Sequence, residues 1–128
     1  MKSVIAAILA LLVSSAAFAD DAPGSYAAAK AIWLRSRDTK NYQNYAAEFS
    51  QFNNYFHLDE KNGCYALAPG PVTLMLIISH PKNSEFAIVE RVLADADNAK
   101  ARCFEKSYSG VRTKIPPFFP FVLQLGMG

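Results

Sequence analysis

Among the 128 residues there are only two cysteines and two histidines, and none has a second such residue at metal-ligand spacing. His57 and His80 each stand alone beside turn residues and read as ordinary turn positions. No Ser-centred elbow, glycine-rich phosphate loop or paired-carboxylate motif is present. The sequence therefore offers no catalytic motif, no metal site and no cofactor site. Asp95-Ala96-Asp97 resembles the start of a calcium loop, but Lys100 stands where that loop needs glycine and Lys106 where it needs a bidentate glutamate. Helix capping accounts better for these acids. Charge of one sign is also lacking: 13 basic residues face 11 acidic ones, which leaves no electrostatic footprint for nucleic acid or an anionic membrane. Arg35 with Arg37 and Arg112 with Lys114 read as solvated loop and helix-end charges. Internal repeats and low-complexity linkers are missing as well.

The strongest positive signal lies at the N-terminus, where Lys2 precedes an apolar run from Val4 to Val13, followed by Ala17-Phe18-Ala19. This is the three-part pattern of a secretory signal peptide over residues 1–19, with cleavage expected between Ala19 and Asp20. The competing reading, a retained signal anchor, needs roughly 20 apolar residues, and this run is about half that. The expectation is an exported, periplasmic or secreted product with no membrane anchor after cleavage. Residues 20–128 then form one domain, a helical part over 20–62 and a strand-rich part over 63–128.

Export also bears on the cysteines, because thiols pair in oxidising surroundings. Cys64 and Cys103 are expected to form a disulfide, which in closing about 40 residues is worth roughly 4 kcal/mol on the loop-entropy model. A Cys64–His57 nucleophile and base pair is the alternative, and it lacks a third, orienting group.

Ser25 is a possible N-cap for a helix over Tyr26 to Ser36, which carries four alanines and other good helix formers. From Asn41, Tyr42, Tyr45, Phe49, Phe52 and Phe56 recur at steps of three and four, an aromatic stripe that reads as the core face of a second helix. Asn62-Gly63 marks a tight turn. Cys64 to Ala68 is expected to be a short extended piece before Pro69-Gly70-Pro71. Val72 to Ser79 is apolar on both alternating faces, as a central strand requires. A turn over His80 to Ser84 leads to a second strand, Glu85 to Leu93, completing an antiparallel hairpin. Asp95, Asp97 and Asn98 are N-cap types ahead of a helix over Ala99 to Tyr108. From Phe119 a third strand closes the chain, placed at a sheet edge because Pro120 lacks a donor. The proline spacing in Pro117-Phe118-Phe119-Pro120 could present a polyproline ligand, but setting the approach of the last strand is the simpler account. The fold class is α+β: N-terminal helices packed on a small antiparallel sheet in the order β-hairpin, helix, strand.

Val72 to Ile78, Phe86 to Leu93, Ala99 to Cys103 and Phe121 to Leu125 together resemble the layout of the C-terminal domain of TonB-type energy transducers and related gliding-motility modules. The chain departs from that pattern at Asp95-Ala96-Asp97, where a Ser-Ser pair is usual. Gly63-Cys64-Tyr65, Asn98 to Phe104 and Pro116-Pro117-Phe118 are similar to segments of small exported bacterial proteins of uncharacterised function. The TonB resemblance implies a periplasmic domain that recognises a protein or peptide partner by adding or receiving a β-strand.

The leading functional expectation is thus a non-enzymatic, exported, disulfide-stapled binding domain. Its candidate binding edge is the last strand, through Phe119, Phe121, Leu123, Gln124 and Leu125. The alternative is a small periplasmic enzyme or enzyme inhibitor whose cleft converges on Tyr65, His57 and Arg102.

Overall fold

Two of the expected helices begin where a side chain can accept the first free amides. The computed structural model describes residues 22–56 and 63–128, with backbone only for 52–56. The signal-peptide reading with its Ala19–Asp20 junction, His57, and the polar stretch up to Asn62 lie outside the described residues. Ser25 accepts from the Ala28 amide at 3.2 Å and opens helix α1, Tyr26–Ser36. Thr39 donates its hydroxyl to the Ser36 carbonyl (2.7 Å) and accepts from the Tyr42 amide (3.2 Å), ending one helix and starting the next, α2, Lys40–Phe56. Tyr42, Tyr45 and Phe49 are buried, so the described part of the aromatic stripe is core. The side chains of Phe52 and Phe56 lie outside the described residues.

Strands β1 (Val72–Ser79) and β2 (Ala87–Ala94) form the antiparallel hairpin. Helix α3 (Ala99–Tyr108) follows, capped by Asn98, whose side chain accepts from the Ala101 amide at 2.8 Å. Asp95 caps nothing: its carboxylate accepts from the Thr73 amide at 2.9 Å and its own amide bonds the Thr73 carbonyl, tying the end of β2 to the start of β1. Two further strands, β3 (Arg112–Thr113) and β4 (Phe121–Met127), complete an all-antiparallel sheet in the order β3-β2-β1-β4. The fold is α+β, and β1 is central as its two apolar faces require.

The pleat divides the core in two. Val72, Leu74, Leu76 and Ile78 of β1 join Phe121 and Leu123 under α2 and α3. Met75 and Ile77 point the other way, with Val122, onto Ala29 and Ile32 of α1. The sheet is therefore covered on both faces. A bulge in β2 skips one residue between the pairs Ile77–Arg91 and Ile78–Val89. It leaves Glu90 and Arg91 both exposed while Val89 and Val92, three apart, enter the same core cluster.

Four local expectations need correction. Residues 63–65 are helical rather than extended, because Cys64 is anchored to α3 and its carbonyl accepts from the Leu67 amide at 3.1 Å in a tight turn. The second strand starts at Ala87, not Glu85, since Asn83 has φ 62° and Ser84 accepts from the Phe86 amide, prolonging the turn. The last strand starts at Phe121, not Phe119: residues 117–120 are bends, and the pairing with β1 begins at Ile78–Phe121. It is also the fourth strand: β3 was hidden in the loop after α3, where Gly110 at φ 80° turns the chain back along β2.

Candidate functional site

The sheet has two edges, β4 and β3, and α2 reaches both. Consider first β4, the expected binding edge. Phe121 and Leu123 are each 1 % exposed and belong to the core, and Leu125 is half-buried against it. Phe119 lies just before the strand, exposed and stacked on His80 at 6.5 Å. His80 is a turn residue, its ring nitrogen bonded to the Ser84 carbonyl.

Gln124 pairs with Met75 of β1, yet its amide donates to the Tyr42 hydroxyl at 3.2 Å. By the antiparallel alternation, Val122, Gln124 and Gly126 therefore turn their backbone groups outward. The Trp33 indole donates to the same hydroxyl at 2.9 Å, and the Arg37 guanidinium lies over the Trp33 ring. The middle of the β4 edge is thus already occupied by the α1–α2 pair. Burial raises the Tyr42 pKa above its ordinary value, and the hydrogen bonds from Gln124 and Trp33 oppose that shift.

The β3 edge is arranged differently. Val89 donates to the Val111 carbonyl and Gly110 to the Val89 carbonyl, both at 2.8 Å, and Thr113 pairs with Ala87. The alternation then turns the N–H and C=O of Arg112 away from β2. Two residues beyond Arg112, the Tyr45 hydroxyl donates to the Lys114 carbonyl at 2.7 Å and so receives the Thr113 hydroxyl proton across 2.8 Å. Burial pushes the Tyr45 pKa up to about 12, with the Thr113 hydrogen bond lowering it and the nearby Glu48 adding to the rise.

Beside this edge lies a groove of about 640 Å³ between α2 and the chain from Arg112 to Ile115. Its apolar lining comes from Tyr45, Phe49, Phe86 and Ile115, and Phe86 and Ile115 are 47 % and 41 % exposed. At its rim the Lys114 ammonium meets Glu48 at 2.8 Å, while the Arg112 guanidinium lies 5.6 Å from the centre of the Phe86 ring.

The sequence holds a signal for this site that hydropathy alone leaves weak. Val111-Arg112-Thr113-Lys114-Ile115 alternates branched and basic residues with period two, the pattern of a half-exposed strand. Read as a basic pair, Arg112 and Lys114 look like loop charges.

Away from both edges, Cys64 and Cys103 form a disulfide with Cα atoms 5.4 Å apart, fastening residues 63–65 to α3. Tyr65 packs edge-on against Phe104, and Lys100, only 3 % exposed, donates to the Gly70 carbonyl at 2.6 Å with its ammonium over the Tyr65 ring. Arg102 pairs with Asp97 at 2.8 Å in solvent. Two smaller cavities flank Phe119 and Pro120, and neither Tyr65 nor Arg102 lines these or the main groove.

Among the described residues there is no group of three His, Cys, Asp or Glu able to hold a metal, and no helix long and apolar enough to cross a membrane. No enzyme family or enzyme homologue is found: no protein-family profile, curated protein or solved structure matches this chain.

Proposed function

We propose that this chain is an exported, disulfide-stapled, non-enzymatic domain that binds a protein or peptide partner by strand addition, and that it does so at β3. One observation carries the choice of edge. Arg112 turns its backbone N–H and C=O outward directly beside an apolar groove, whereas Gln124, in the middle of β4, already gives its amide to Tyr42. An extended segment laid along β3 gains main-chain hydrogen bonds from Arg112 and apolar contact from Phe86 and Ile115. The resemblance to TonB-type C-terminal domains points to the same mode of recognition.

The test is selection of displayed random peptides on the purified, oxidised protein, followed by NMR mapping of amide shifts. Selected peptides should perturb Arg112 to Ile115, and Ile115→Glu should abolish their binding while leaving the thermal midpoint within a few degrees. Peptides that instead perturb Gly126 and its neighbours on β4, or a selection that yields no binder, would overturn the proposal.

A further inference from the structure

Strand addition at β3 would also dictate what side chains the partner carries, and this inference rests on the proposed binding mode. Successive residues of a strand face opposite sides of the sheet, and so do the residues paired with them. Thr113 is buried toward α2, its hydroxyl bonded to Tyr45. The partner residue opposite Thr113 would therefore project toward Tyr45, Phe49 and Ile115 and must be apolar.

Arg112 faces the other side and is exposed. Its guanidinium rests over Phe86 and forms no ion pair with any described residue. The remaining charges at the groove are spoken for or set apart. Lys114 is paired with Glu48, and Glu85 lies in the hairpin turn before Phe86, outside ion-pair distance of Arg112.

We infer that the segment received at β3 is an extended peptide carrying an apolar residue opposite Thr113 and, next to it, an acidic residue opposite Arg112. Phe86 supplies a low-dielectric wall beneath the guanidinium, which strengthens a carboxylate contact made there. The side-chain pattern on alternate faces sets specificity, while the main chain supplies affinity.

Peptide arrays built on a selected binder, with every residue tried at each position, read this directly. An acidic residue beside the apolar anchor should be preferred over lysine by about two- to fivefold, the range of an exposed ion pair. The preference should fade toward 0.5 M salt and vanish in Arg112→Gln, with the apolar preference retained in both cases. Arg112→Glu should reverse it in favour of lysine. Binding with no acidic preference, or a preference that survives Arg112→Gln, overturns this inference and leaves strand addition standing. A protein that binds no peptide overturns both.

Discussion

Tyr42 and Tyr45, three residues apart on α2, deliver their hydroxyls to opposite edges of one sheet. Tyr42 takes the Gln124 amide of β4 at 3.2 Å, and Tyr45 holds Thr113 and Lys114 at β3 at 2.8 and 2.7 Å. Both rings pack on Phe121, with centroids at 5.5 and 4.6 Å. One helical turn thus bonds both edges of the sheet, at an amide of β4 and at a carbonyl beside β3.

Removing either hydroxyl leaves buried or half-buried hydrogen-bonding groups without a partner. Tyr45→Phe leaves the Lys114 carbonyl and the Thr113 hydroxyl unsatisfied, and Tyr42→Phe does the same to the Trp33 indole and the Gln124 amide. Each should cost about 1–3 kcal/mol in urea denaturation. Tyr42→Phe has a second outcome that Tyr45→Phe lacks: faster hydrogen exchange at the Gln124 amide.

The raised Tyr45 pKa makes a pH prediction with a definite sign. In the unfolded chain this phenol keeps its ordinary value of 10, and burial in the folded protein pushes it up to about 12. Its contribution to stability is therefore complete below pH 10 and is lost as pH climbs from 10 to 12. The thermal midpoint should fall more steeply over that window in the native protein than in Tyr45→Phe, and parallel curves would contradict the assignment.

The disulfide joins residues 39 apart in sequence. Replacing both cysteines by alanine should lower the unfolding free energy by about 4 kcal/mol, on the entropy lost when the unfolded chain is cross-linked. Thiol reagents should not label the native protein until both reductant and denaturant are added.

Phe119 and Phe121 differ by two residues and by nearly everything else. Phe121 is 1 % exposed and packed among Tyr42, Tyr45 and Phe118, so Phe121→Ala should cost about 3–5 kcal/mol. Phe119 is half-exposed, and Phe119→Ala should stay within about 0.5–1 kcal/mol. Chemical denaturation of the two variants checks the contrast.

Much of the architecture was legible in local chemistry. The spans of α1, β1 and α3 follow from Ser25, from the branched run Val72 to Ser79 and from Asn98, because caps and strand formers act over a few residues. The pairing of Cys64 with Cys103 is expected from a count of two cysteines together with the signal-peptide reading of residues 1–19. The site was far less legible. Phe86 carries no motif, and the five-residue alternation of Val111 to Ile115, of which only Arg112–Thr113 is strand, is too short to separate from a loop by pattern alone.

By itself, then, the sequence determined α1, β1, α3 and the staple, since each depends on neighbours in the chain or on a count, but it did not reveal β3. Which backbone groups along the two edges are taken by side chains was decided only in three dimensions. Tyr42 reaches Gln124 across 82 residues and Tyr45 reaches Thr113 across 68. A hydroxyl's choice of partner at such separations is set by packing, and no local pattern in the chain encodes it.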